Sequence, residues 1–207
     1  MSEETGDEGI YKKLWKTKGI RYAAYHRLRL QSRWSVVTVS LLSFYIFALS
    51  IVAILFNDRF SPFTMQMFNA FSLISSVFIM IVSFIESLKA YDVKAEFLHK
   101  NANEISKIYN EFQRRFRNKT LDEAYSNATV TQYNNLLDSC PYNHSEVDYE
   151  KFQINEPKEF HLLGWGRFRF IVLYFKIKFL NYGPFLFVLL VLPLAFYLML
   201  RFFGTAA

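Results

Sequence analysis

Residues 34–56 read WSVVTVSLLSFYIFALSIVAILF and residues 63–85 read FTMQMFNAFSLISSVFIMIVSFI; six residues, NDRFSP, separate them. Each block has 23 residues and contains no Lys, Arg, Asp or Glu. About 20 apolar residues suffice for a helix to cross a bilayer. The link Asn57-Asp58-Arg59-Phe60-Ser61-Pro62 is polar and turn-prone, so the blocks are expected to form two antiparallel spans, a transmembrane hairpin. Beyond the second block a 3–4 apolar repeat runs without interruption: Leu88, Tyr91, Ala95, Leu98, Ala102, Ile105, Tyr109, Phe112 and Phe116. That spacing is the seam of a coiled-coil-like helix that packs on another helix, and it is expected to be the seam through which copies of the chain oligomerise. With no proline from Phe63 to Arg117, the second span and the seam are expected to form one rod.

The remaining composition agrees with an all-α membrane protein. Of 207 residues, 52% are apolar and 23 are Phe, yet 20% are charged, and the charges avoid the blocks. No Gly occurs between Gly19 and Gly164. That argues against β-architecture and leaves no Gly-rich phosphate loop in the interval. The single cysteine, Cys140, excludes an internal disulfide and implies no oxidising compartment. The acidic start (Glu3, Glu4, Asp7, Glu8) does not resemble a signal peptide, so the first block is expected to be a retained anchor.

Charge sets the expected orientation. Eight Lys or Arg precede the first block and fourteen lie between Ile85 and Phe179, but the hairpin link has only Arg59 and the tail only Arg201. Basic flanks stay cytoplasmic. The N-terminus and the 86–158 region are therefore expected inside and the hairpin tip outside. Anionic headgroups account for most of the basic excess, and no nucleic-acid motif accompanies it. A third uncharged block, Phe179–Leu200, reads as a third crossing near residues 181–201, or as a re-entrant segment broken at Pro193. Pro184 suits the first turn of that helix.

Four regions follow. Residues 1–33 form an acidic tail and a basic juxtamembrane helix, which lies on the membrane face or joins the first span as one rod. Residues 34–85 are the hairpin, and 86–158 a cytoplasmic helical region. Residues 159–207 comprise an interfacial helix and the third span. In the cytoplasmic region, Thr120-Leu121-Asp122-Glu123 reads as a capping box opening a helix near 120–138, which could fold back on the seam. Residues 139–158 read as a polar, acidic linker. Arg167-Phe168-Arg169-Phe170 fits an interfacial helix or a short strand.

Asn69, Ser72, Ser76 and Ser83 share one helical stripe, 3, 4 and 7 residues apart. They are candidates for span packing, or for lining a water path when several hairpins assemble. Glu86 sits where the second span ends. It is a headgroup-level charge able to pair with Lys89, or part of a charged ring at a pore mouth. The cations Arg114, Arg115 and Arg117 close the seam helix; they offset its dipole or receive an anionic ligand. The histidines are scattered and no nucleophile, Walker or zinc motif is present. No catalytic, cofactor or metal site is expected, and the chain does not read as an enzyme.

The basic segment Arg21-Tyr22-Ala23-Ala24-Tyr25-His26-Arg27-Leu28 runs into a span with Ser40-Leu41-Leu42-Ser43, followed by a tight hairpin and a long helix. This layout resembles the SLATT family of two-membrane-helix effectors. The likeness covers roughly residues 10–200 and lies in patterning. The extra C-terminal apolar helix resembles the branch found beside reverse transcriptases. The resemblance implies a bacterial inner-membrane, multi-pass effector of antiviral conflict systems, forming pores or disrupting the membrane in abortive infection. It implies homo-oligomerisation and a partner sensor, a reverse transcriptase or a nucleotide-signalling component. No direct nucleic-acid binding is expected. The competing expectation is a non-toxic membrane adaptor that tethers a soluble partner.

Overall fold

The computed structural model describes residues 6–55, 58, 60–161 and 167–203. Glu3, Glu4, Phe56, Asn57, Arg59 and the Arg167 side chain, all used in the sequence reading, lie outside what is described. Six helices occur among the described residues: α1 (Asp7–Leu55), α2 (Pro62–Leu88), α3 (Tyr91–Arg117), α4 (Glu123–Asp138), α5 (Glu146–Asn155) and α6 (Arg167–Phe203). No strand occurs among the described residues. Three helices, α1, α2 and α6, are long and apolar enough to cross a membrane. The chain divides into two compact units: residues 1–30 with 91–178, and residues 31–90 with 179–207.

The apolar unit is a three-helix packing. Near the link, Ser50, Ala53 and Ile54 of α1 stand with Met65, Asn69 and Ser72 of α2 around a shared groove. Further along, Leu42 and Ile46 cluster with Ile79. This reversed order makes the first two spans antiparallel, as the short link requires. Ser61 caps α2 by accepting the Thr64 amide at 3.2 Å, and Pro62 occupies the first turn, where its missing N–H costs nothing. α6 runs parallel to the first span. Trp34 meets Tyr182 edge-to-face at 5.3 Å, and Leu192 joins the Leu42–Ile46–Ile79 cluster. Phe196 closes on Phe68 and Phe71, with centroids 5.2 and 5.3 Å away. Large apolar side chains such as Phe44, Leu73, Met80 and Phe187 stay exposed, as lipid-facing positions do.

The polar unit is built on the first half of α1. Leu14 packs with Ile105, Ile108, Tyr109, Phe112 and Tyr133, and Ala24 and Leu28 pack with Ala95 and Leu98. The small residues Ala24, Ala95 and Ala102 are fully buried, which lets α1 and α3 approach closely. Polar ties run across the same contact: Tyr11 and Tyr109 share a hydrogen bond of 2.7 Å, Tyr22 donates to Asn103 at 2.7 Å, and Arg29 pairs with Asp92 at 2.9 Å. α4 covers the rest of α3, with Asn101 donating to the Leu136 carbonyl at 2.6 Å.

Six expectations are corrected or refined. The rod from 63 to 117 is broken: α2 ends at Leu88, and Ala90 adopts a left-handed φ of 48° before α3 begins. Its amide and that of Lys89 turn back to the Ser87 and Glu86 carbonyls instead of continuing the helix. The capping box is displaced, because Asp122, not Thr120, caps α4 by accepting the Tyr125 amide at 2.6 Å. The 139–158 linker contains α5. The Arg167–Phe170 stretch is helical, and α6 continues through Pro184 and Pro193, so Pro184 lies in a helix interior rather than at its first turn. The juxtamembrane helix and the first span form one 49-residue helix.

Candidate functional site

The packing face of α2 consists of Phe68, Ser75 and Ile79, all buried. The stripe Asn69–Ser72–Ser76–Ser83 lies elsewhere: Asn69, Ser76 and Ser83 are exposed and Ser72 is half-buried. At the end nearest the link, Asn69 and Ser72 line the groove with α1, about 470 Å³ in volume. The Ser76 hydroxyl donates to the Ser72 carbonyl at 2.7 Å, so it needs no further partner. Ser43 and Ser50 of α1 do the same toward Val39 and Ile46. Thr38 Oγ1, Ser75 Oγ and Asn181 Oδ1 are instead buried inside this unit without a partner. Glu86 pairs with Lys89 through one carboxylate oxygen, while its other oxygen is buried and unpartnered.

The seam splits in its surroundings. Ala95, Leu98, Ala102, Ile105, Tyr109 and Phe112 are buried against α1 and α4 of the same chain. Tyr91 packs beside Ala24 and Leu28. Leu88 at one end is exposed, and Phe116 at the other stacks on Tyr11 at 5.7 Å. The middle of the seam is therefore occupied from within the chain, as the fold-back alternative allowed. Lys18 lies over the Tyr109 ring at 3.5 Å, and burial holds its ammonium below the usual lysine range. Burial and the bond from Tyr11 push the Tyr109 phenol up.

Arg114 and Arg115 do not form an open cationic cluster. Both bond Glu111 at 2.9 Å, and these bonds hold its carboxyl below the usual carboxylate range. Arg115 also lies over the Tyr125 ring at 4.0 Å. Arg117 is exposed.

The strongest polar constellation is one that sequence reasoning missed. Asp148, in α5, is completely buried. Its Oδ1 accepts Arg27 Nε at 2.7 Å; its Oδ2 accepts Arg27 Nη2 at 3.0 Å, the Ser145 amide at 2.8 Å and the Ser145 hydroxyl at 2.9 Å. This bidentate pair clamps α5 to α1 and caps α5 at the same time. The usable signal was Ser145-x-x-Asp148, a cap pattern hidden in what looked like a solvated acidic stretch. Among the described residues no group of three or more His, Cys, Asp or Glu side chains could hold a metal.

These observations define a helical membrane protein with an apolar three-helix unit and a separately packed polar helical unit. Residues 3–199 match the family model described as SMODS and SLOG-associating 2TM effector domain family 5, and the chain belongs to that family. The match runs through α3, α4 and α5 and nearly to the end of α6, so the third apolar helix lies inside the family region. No curated protein and no solved structure matches the chain.

Proposed function

We propose that the protein is a bacterial inner-membrane effector of an antiviral conflict system. It assembles through its apolar unit to open a pore or disrupt the membrane, producing abortive infection. The observation that carries this is the polar stripe of α2, where Asn69, Ser76 and Ser83 remain exposed and Ser72 is half-buried. An exposed Asn69 amide facing lipid loses hydrogen bonds that a second copy or a water path would restore, worth about 0.5–2 kcal/mol each, and the small Ser76 and Ser83 let another helix approach closely. The unpartnered Thr38, Ser75 and Asn181 atoms add support, because a rearranged packing that satisfied them would be favoured. Basic flanks put the N-terminus and the polar unit in the cytoplasm, where a sensor partner, a reverse transcriptase or a nucleotide-signalling component, biases the equilibrium by preferring one state. Chemistry is left to that partner; the chain is proposed to be non-enzymatic.

Induction in bacteria, followed with a potential-sensitive dye, tests this. Wild type should depolarise cells once triggered. Asn69→Leu/Ser76→Leu should accumulate in the membrane, lose depolarisation, and shift in detergent toward the 24.5 kDa protomer. Phe112→Ala should instead reduce accumulation, because removing a fully buried Phe costs about 3–5 kcal/mol in the polar unit. No depolarisation under any trigger, or undiminished toxicity of the double variant, overturns the proposal.

A further inference from the structure

Arg21 and Arg27 both belong to α1 within the polar unit; Arg27 pairs with Asp148, and among the described residues no carboxylate pairs with Arg21. Arg27 and Ser145 take up both oxygens of Asp148, as described above. Arg21 is only 4% exposed, yet its guanidinium has a single weak bond, Nη1 to the Tyr142 carbonyl at 3.3 Å, and its Nε has no partner. A buried cation without a counter-charge is strongly unfavourable. It persists where something else supplies the charge.

The space beside it is open. A cavity of about 310 Å³ is lined by Thr17, Arg21, Tyr133, Cys140, Asn143 and His144, among others. His144 Nδ1 is buried and unpartnered. Burial first, and then the Arg21 charge, hold its imidazole below the usual histidine range, with Asp148 opposing. An anion between the two side chains would relieve both. Thr17 and Tyr133 share a hydrogen bond of 2.8 Å at the rim, and either hydroxyl can turn toward an oxyanion.

We infer that this cavity is a binding site for a small soluble phosphate-bearing anion, held by the Arg21 guanidinium with His144 as a second donor. Arginine in a confined, largely desolvated setting is suited to phosphate oxygens, since its planar fork donates to two of them at once. The inference does not depend on pore formation. It assigns the polar unit a ligand whether or not the apolar unit conducts.

The full chain in an uncharged maltoside detergent, titrated with inorganic phosphate at constant ionic strength against chloride, tests it. Thermal unfolding of wild type should rise by about 5 °C or more once phosphate reaches a hundredfold its dissociation constant. Arg21→Gln should lose that rise and, without phosphate, unfold no earlier than wild type, because it deletes an uncompensated charge. No shift beyond the chloride control, or an equal shift in Arg21→Gln, overturns the site. If Arg21→Gln does not fold, His144→Asn and the phosphorus NMR linewidth of phosphate replace it. No broadening with wild type, or broadening unchanged by His144→Asn, overturns the site equally. An Arg21-dependent shift in phosphatidylglycerol nanodiscs but not with inorganic phosphate would make the source a lipid headgroup and overturn the soluble ligand.

Discussion

Gly19 has no side chain because Phe152 stands where one would go. A Cβ built there would lie 2.6 Å from Phe152 Cδ2 and 2.9 Å from Cζ. Phe152 is itself buried with Ile20 and Ala23, and Trp15 meets its ring edge-on at 4.9 Å, so it has little room to yield. Gly19→Ala is therefore expected to destabilise the polar unit by about 1–3 kcal/mol, although alanine is the better helix former. Gly19→Ala/Phe152→Leu should recover part of the loss. Thermal unfolding of the two variants checks this; an unchanged or raised midpoint in the single variant would show that α5 shifts freely. At this scale the sequence was legible where a residue type alone determines its environment. The uncharged blocks are an example. It was opaque where two distant residues define each other, as with Gly19 and Phe152 or Arg27 and Asp148. Neither member of such a pair is unusual by itself.

Helices fared differently according to length and partnering. α1, α2 and α6 announce themselves because their apolar runs exceed a bilayer's width. α5 did not, because its ten residues carry little periodicity and draw their stability from contacts with α1. The break between α2 and α3 was invisible for another reason. Lys89 and Ala90 are acceptable helix residues, and nothing in their types marks the left-handed turn at Ala90. A non-glycine residue in that conformation costs about 1–2 kcal/mol. Ala90→Gly should remove most of that cost and, after its greater unfolded-chain freedom is counted, stabilise the protein by up to about 1 kcal/mol. Ala90→Val should destabilise it, because branching at Cβ worsens a positive φ. Denaturant midpoints of the pair provide the check. Equal midpoints for glycine and valine would mean that the backbone at this position is not strained in solution.

For the whole molecule, the polar unit itself constrains topology. It combines residues 1–30 with residues 91–178, segments separated in the chain by the two-span hairpin. A packed unit tied by Tyr11–Tyr109, Arg29–Asp92 and Arg27–Asp148 cannot have a bilayer between its halves. The chain must therefore return to the side from which it left. Twenty-two of the 24 Lys and Arg residues precede the first block or lie between Ile85 and Phe179, and the positive-inside preference is the basis for the proposed cytoplasmic side. Cys140, the only thiol, is half-buried within it and can report the outcome directly. A charged maleimide added to intact spheroplasts should leave Cys140 unmodified and should label it once the membrane is permeabilised. A cysteine introduced at Asp58, in the hairpin link, should show the opposite pattern and react from outside in intact cells. Labelling of Cys140 from outside would reverse the proposed orientation while leaving the hairpin intact. Labelling of both sites from one side would contradict the hairpin itself, because residues 58 and 140 would no longer be separated by a crossing.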